Sequence, residues 1–313
     1  MECYHFCTIF GKEYIFKGLA LYNSLEKDAK NFHLWICCLD DISLQLLKRM
    51  DLRNVTLIPL ESIEDEQLLS VKKSRTPHEY SFTLKSPLVL YILSNYKFVN
   101  SLMYIDGDLY FYSDPKPILN EWRGGSIFIC EQRLAKNIKD SGTYQAGLIG
   151  FKRDSNAFQC LEWWRTKCLE WCFHRHDGDL WTDQGYLNKW PDLFSDVIIS
   201  HNSGINIGPW NVGNYESTPD FNVRNGEVFI NDDLLIVYHF SGFVILNEGE
   251  FDLCKYSRVN EDTINHIYIP YIREIQKAIG RVKSIDDTFT YGFAQRIRRS
   301  RKKAKHYYKY SND

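Results

Sequence analysis

The stretch MYIDGDLYFYSDP, residues 103–115, runs an apolar segment into two carboxylates, Asp106 and Asp108, set one residue apart. The residues leading in, Ser101–Ile105, read as a short buried strand. In open α/β sheets, ligands bind just beyond the carboxyl ends of the strands. On an extended backbone, residues i and i+2 project to one side, and Gly107 between them permits a turn and a close neighbour. Two hard oxygen donors with open positions suit Mg²⁺ or Mn²⁺ held jointly with substrate phosphates. An acidic turn after a strand would use the same letters, so the triplet alone leaves both readings open. The letters recur at 177–179, inside RHDGDLWTDQ. That copy follows a helical stretch and has no strand before it. It reads as a loop, with Gly178 as a helix stop and Asp179 near the next helix start.

The pattern on either side decides the class. Upstream, strand-like runs at 3–10, 32–39 and 55–60 alternate with helix-like segments at 14–25, 42–50 and, despite Pro87, 79–93. Such alternation predicts a mostly parallel central sheet flanked by helices. Downstream, short strands are expected at 126–131, 147–152, 197–200 and 234–240, and helices at 155–175, 182–190, 262–279 and 288–305. A Gly/Asn/Pro-rich loop, 202–214, separates the last two strands. No repeat or linker is evident. The expected organisation is one α/β domain over residues 1–250 and a C-terminal helical extension over 251–313.

Composition excludes some functions. A net charge of −2 gives no general electrostatic case for nucleic acid. No apolar run approaches the roughly 20 residues needed to span a bilayer, and MECYHFCTIF lacks the basic start of a signal peptide. Nine cysteines without regular spacing predict a reduced, cytoplasmic protein rather than a disulfide framework. Cys160, Cys168 and Cys172, with His174 and His176 nearby, fit no common zinc spacing and read as helix packing. From Arg296 to Lys309 the chain carries eight Lys or Arg and no acid, interleaved with aromatics. That predicts a reversible, electrostatic contact with an anionic membrane surface, peripheral at the inner face of the membrane.

MYIDGDLYFYSDPKPIL resembles the DxD segment of the nucleotide-diphospho-sugar transferases of the GT-A fold, closest in style to bacterial family-8-like glycosyltransferases. Three further stretches follow in that family's order. TYQAGLIGFKR at 143–153 resembles its Asn-Ala-Gly strand, TDQGYLN at 182–188 its Asp-Gln segment, and YHFSG at 238–242 its histidine–glycine segment. The likeness spans roughly residues 3–243. Gln145 stands where an Asn is usual. Phe243 and three aliphatic residues stand where Lys-Pro-Trp follows the histidine, so the lysine expected on the diphosphate is missing.

The resemblance implies a GT-A, Rossmann-like fold and a glycosyltransferase. Its donor would be a nucleoside-diphosphate sugar of the UDP type, its acceptor a saccharide or a lipid-linked saccharide, its cofactor Mn²⁺ or Mg²⁺, its outcome retention. It makes Asp106, Asp108 and His239 the metal ligands, though a lone histidine ending an apolar strand also reads as a core residue. It sets Asp183 on donor hydroxyls and Gln184 on the reacting face, whereas Thr182 could simply cap a helix there. Thr8 and Asp40, at strand ends, fall where the nucleoside pocket is expected. Lys85 is a candidate for the diphosphate in place of the missing lysine. Asn206, Trp210 and Asn211 are candidates for a donor or acceptor rim. Two other classes remain open: a non-catalytic nucleotide-sugar or carbohydrate-binding module, and a DxD phosphotransferase. The latter usually carries a Thr soon after the second Asp, where Leu109 and Tyr110 stand here.

Overall fold

The computed structural model describes residues 3–134, 142–211, 221–230, 232–256, 258–294 and 304–310. Its centre is a seven-stranded sheet. The strands are β1 (Tyr4–Phe10), β2 (Phe32–Cys38), β3 (Val55–Pro59), β4 (Ser101–Ile105), β6 (Ile127–Glu131), β7 (Tyr144–Lys152) and β10 (Val197–Ser200), ordered β10-β6-β7-β4-β1-β2-β3. Pairing is parallel except for β7, which runs antiparallel to both β4 and β6. The mostly parallel α/β sheet expected from the alternation is therefore present.

The apolar runs exist because both faces of this sheet are covered. Along β2, Leu34, Ile36 and Cys38 enter one core while Trp35 and Cys37 enter the other. β4 does the same, with Met103 and Ile105 on one side and Leu102 and Tyr104 on the other. The covering helices include α1 (Ile15–Asp28), α2 (Asp41–Met50), α3 (Glu66–Lys72), α4 (Pro77–Thr83), α5 (Lys85–Asn95), α6 (Lys116–Trp122) and α7 (Ser155–Glu170). The single helix expected at 79–93 is two. Thr76 and Glu79 form a capping box at the start of α4, and the chain re-enters helix at Lys85. Pro87 then sits in the first turn of α5, where its missing N–H has no partner to lose.

A smaller sheet is built on the main one. β5 (Leu109–Phe111) pairs with β15 (Val237–His239), which pairs with β11 (Ile205–Ile207), a strand within the expected 202–214 loop. The second DGD is the turn of a hairpin between β8 (His176–Asp177) and β9 (Leu180–Trp181), with Gly178 at φ +56°. Asp177 and Asp179 are exposed. They belong to a turn, as expected, but to a β-turn rather than a helix exit: α7 already ends at Glu170.

The remaining strands are β12 (Phe221–Arg224), β13 (Glu227–Ile230), β14 (Asp233–Leu234), β16 (Val244–Asn247), β17 (Glu250–Asp252) and β18 (Tyr307–Lys309), and the remaining helices α8 (Trp190–Leu193), α9 (Glu261–Thr263) and α10 (Ile269–Lys283). α10 is the expected C-terminal helix. It buttresses the site, because Tyr271 stacks on Phe240, the residue after His239, at 3.6 Å. The expected boundary at residue 250 falls inside β17. The helix expected at 288–305 is absent from its described part: 288–294 is turn or irregular, and the last described segment forms β18, paired with β17. Phe293, Tyr308 and Tyr310 are half-buried against the core, and Tyr307 is exposed. The basic residues 296–303 lie outside the described residues. No helix of the described residues is long and apolar enough to cross a membrane.

Candidate active site

Strand register assembles the first cluster. At the carboxyl end of β4, the Asp106 N–H donates to the Gly147 carbonyl of β7 at 2.8 Å, and the chain turns through Gly107 into β5. His239 lies opposite Leu109 in the β5–β15 pair, and the Phe240 N–H donates to the Asp108 carbonyl at 2.9 Å. His239 Nε2 thus lies 3.1 Å from Asp108 Oδ1 and 3.9 Å from Asp106 Oδ2. One ligand atom from each of the three residues falls within 4.8 Å of the others, and this is the one such cluster among the described residues. On its other nitrogen, Nδ1 is 3.3 Å from Asn206 Oδ1. A second partner of this kind fixes the ring and leaves Nε2 toward the carboxylates. Two carboxylates and an imidazole are a donor set that fits a divalent cation.

A second layer holds the carboxylates. Lys85, the first residue of α5, is buried and ion-paired at 3.1 Å with both Asp106 and Asp183, and it donates to the Ala146 carbonyl at 3.1 Å. Burial by itself would lower its pKa, but the two carboxylates outweigh that and hold it above the usual lysine range. The Tyr104 hydroxyl donates to Asp106 Oδ1 at 2.8 Å. Asp108 is buried, which opposes its charge, yet His239 and Lys17 hold its carboxyl well below the usual range. Asp183 is 1% exposed, and burial raises its pKa despite Lys85. Its side chain makes no cap hydrogen bond. The Gln184 N–H instead donates to the Thr182 hydroxyl at 3.4 Å, the local cap that the alternative reading expected.

Gln184 is held from both ends of its amide. Its Oε1 accepts the Ala146 N–H at 3.2 Å, and its Nε2 donates to Gln132 Oε1 at 3.1 Å. Asn211 closes the same network: its Nδ2 donates to the Gln132 carbonyl at 3.3 Å, and its Oδ1 accepts the Gly208 N–H at 3.0 Å. Trp210 stands edge-on to the His239 ring at 5.1 Å. Asn206 and Trp210 therefore shape the histidine, and Asn211 shapes the loop.

Three expected site residues have local tasks that sequence could not show. Asp40 caps α2: Oδ1 accepts the Ser43 N–H at 2.8 Å and Oδ2 the Lys12 N–H at 2.9 Å. Thr8 is fully buried beneath Gly107. Lys85 reaches the carboxylates: its Nζ donates to the Ala146 carbonyl and pairs with Asp106 and Asp183. The three cysteines Cys160, Cys168 and Cys172 are buried, and burial pushes the Cys160 and Cys168 thiols up, as packing residues require.

Gly147, Gln132 and Lys17 escaped the sequence reading. Gly147 is legible in hindsight as the glycine of the strand beside the DGD turn. A Cβ there would stand 2.6 Å from His239 Cε1 and 3.0 Å from Asp106 Oδ2. Gly147→Ala is expected to push the imidazole aside and weaken Mn²⁺ binding, read by calorimetric titration, by about 10–100-fold. Affinity within twofold of wild type would show that the cleft accommodates a methyl group.

No protein-family model matches the chain. The fold is similar to that of LgtC, both as an active-site glutamine-to-glutamate mutant (13% identity, 88% of this chain and 95% of that chain, TM-score 0.55) and as a galactosyltransferase in complex with donor and acceptor sugar analogues (12%, 96% and 99%, TM-score 0.53). It is also similar to the apo form of the bifunctional glycosyltransferase WbbM (15%, 89% and 51%, TM-score 0.53). These likenesses identify the fold as GT-A, as the motif order implied. In sequence, the chain is 33% identical to the uncharacterized protein YfnD of Bacillus subtilis (strain 168) over 300 residues, covering 94% of this chain and 95% of that protein. It is 30% identical to the uncharacterized YfnF of the same strain over 307 residues, covering 93% and 97%. A GT-A chain matched end to end by these two relatives belongs to the family of YfnD and YfnF.

Proposed function

We propose that the protein is a metal-dependent glycosyltransferase that moves a sugar from a nucleoside-diphosphate donor, of the UDP type, to a saccharide acceptor with retention. One observation carries this reading: Asp106, Asp108 and His239 converge at the carboxyl edge of the parallel strands, and Lys85 ties them to Asp183. The likeness in fold to LgtC, solved with donor and acceptor sugar analogues, supports it. The family-8-like motif order adds the UDP donor and the retaining outcome.

Asp106, Asp108 and His239 would hold the cation, which when bound supplies Lewis-acid charge to a leaving diphosphate. The protein's own part is preorganisation. Lys85 fixes Asp106 and Asp183 in one frame. Asp183, buried and oriented from one side, is assigned to donor hydroxyls. Gln184 is assigned to the reacting face. Its amide is locked by Ala146 and Gln132, so its dipole needs no reorientation as charge develops. Gln184→Ala is expected to lower kcat on the order of 10²-fold while KM for the donor stays within about threefold. Initial-rate kinetics checks this, and an unchanged kcat removes Gln184 from the reacting face.

The reading as a whole is tested by thermal shift with a panel of nucleotide sugars, with and without Mn²⁺. A ligand that binds only the folded state raises Tm. At least one nucleotide sugar is expected to do so, and only with the metal. A panel in which none does so contradicts the proposal.

A further inference from the structure

The proposed site leaves one ammonium without an adequate partner. Lys17, on the inner face of α1, is buried, with its side chain 9% exposed. Its Nζ lies 3.8 Å from Asp108 Oδ2, longer than a hydrogen bond, and 4.5 Å from the centre of the Tyr14 ring. No hydrogen bond to Nζ forms among the described residues. Asp108 is meanwhile served by His239 at 3.1 Å. A buried charge is expensive unless paired and hydrogen-bonded. Lys17 meets the first condition loosely and the second not at all.

A second cation approaches the same place from another element. The Lys255 N–H donates to the Gly242 carbonyl at 3.0 Å, three residues beyond His239. Gly242 has φ +79°, and its bare backbone lets Lys255 and Tyr256 close over it: a Cβ there would stand 3.3 Å from Lys255 Cγ and 2.7 Å from Tyr256 Cε2. The Lys255 ammonium lies 4.9 Å from the centre of the Tyr256 ring, on the segment that closes over the turn after His239. Lysines from two elements thus stand beside the cluster: Lys17 against Asp108, and Lys255 against the turn that follows His239. Like charges repel unless an anion lies among them. Once a divalent cation takes Asp108, Lys17 loses the one carboxylate it meets among the described residues and needs that anion more.

We infer that Lys17 and Lys255 form a two-lysine clamp for the diphosphate of the donor, with Lys17 passing from Asp108 to a phosphate oxygen when metal and nucleotide bind. This rests on the proposed glycosyltransferase reading and gives the diphosphate partners besides Lys85, which is held between Asp106 and Asp183. It also predicts opposite signs for two affinities of one variant. Lys17 competes with a metal for Asp108 but cooperates with it toward a diphosphate.

The test is calorimetric titration of the full chain and of Lys17→Met, Lys17→Arg and Lys255→Met. The probes are Mn²⁺ alone, then UDP, GDP, ADP, CDP, dTDP and inorganic pyrophosphate in saturating Mn²⁺. Wild type is expected to bind at least one nucleoside diphosphate. Each Lys→Met variant is expected to weaken the tightest of these roughly 10–100-fold, as loss of a charge-assisted hydrogen bond does. Lys17→Met should bind Mn²⁺ alone at least as tightly as wild type, and Lys17→Arg should recover most of the nucleotide affinity. A merely structural Lys17 would weaken Mn²⁺ and nucleotide together, which overturns the inference. So do nucleotide affinities within twofold of wild type in both Lys→Met variants. Tight pyrophosphate binding without nucleoside discrimination supports the clamp, since the lysines read only phosphate. If wild type binds none of the probes, the glycosyltransferase reading fails instead, and the two failures are told apart.

Discussion

Asp106→Asn and Asp108→Asn are each expected to lower metal-dependent sugar transfer by about 10²–10³-fold, the scale for removing one preorganised electrostatic group, while the protein remains folded. The two side chains meet His239 Nε2 at 3.9 and 3.1 Å and supply all the anionic ligands of the cluster. An amide keeps the shape and most hydrogen bonds of a carboxylate but not its charge, so the fold is spared and the cation is not. Asp106 keeps its Tyr104 and Lys85 neighbours, and an Asn there still accepts from both. Asp177→Asn and Asp179→Asn change the same letters in an exposed turn and are expected to leave transfer within about twofold, because surface substitutions away from special features do little. Rates, Mn²⁺ titrations and melting curves of the four variants check this. Equal losses at both triplets would mean that the hairpin also belongs to the site.

Lys85→Met is expected to harm both stability and activity. The ammonium sits between Asp106 and Asp183 with both ion pairs at 3.1 Å. Removing one partner of a buried ion pair strands the other, at about 3–5 kcal/mol, or roughly 5–8 °C in Tm for a chain of this size. Asp183 is the more exposed to this loss because water cannot reach it. The sign with pH follows. Burial already raises the folded pKa of Asp183, so its preference for the folded state is complete below the unfolded carboxylate range and is lost as pH rises through the folded value. Without Lys85 that value rises further. The Tm gap between variant and wild type should therefore narrow as pH falls from neutral toward about 4. Lys85→Met combined with Asp183→Asn should recover most of the stability and none of the activity. A pH-independent gap, or no recovery in the double variant, would assign the loss to packing instead of charge.

The parallel sheet was legible because its strands are buried on both faces and so stand out as apolar runs, as in FHLWICC of β2. The DGD turn was legible because such a run leads into it. His239 was harder: its ring reaches Asp108 through the pairing of β15 with β5, a long-range register that no local pattern encodes. Asp40 and Thr8 were placed at the correct edge of the sheet, but whether a carboxylate there faces a ligand or caps the next helix depends on the loop at Lys12. Lys17 looks like any lysine on an amphipathic helix until α1 is seen to turn it toward Asp108. The hairpin at 176–181 and the strand at Tyr307–Lys309 have two and three residues per strand, too few to show a period of two. The C-terminal strand also follows a run of basic residues whose composition suggests helix or tail. Pro87 misled in the other direction, since a proline in a first turn marks a helix start.

The most direct measurement is release of nucleoside diphosphate from a panel of nucleotide sugars incubated with the full chain and saccharide acceptors, in Mn²⁺ and again with EDTA. A nucleotide-sugar transferase built on Asp106, Asp108 and His239 releases the diphosphate from at least one donor in Mn²⁺. EDTA stops that release, and so does Asp108→Asn. Metal-dependent nucleotide binding with no diphosphate release across the panel, or inorganic phosphate released from phosphomonoesters instead, would contradict it.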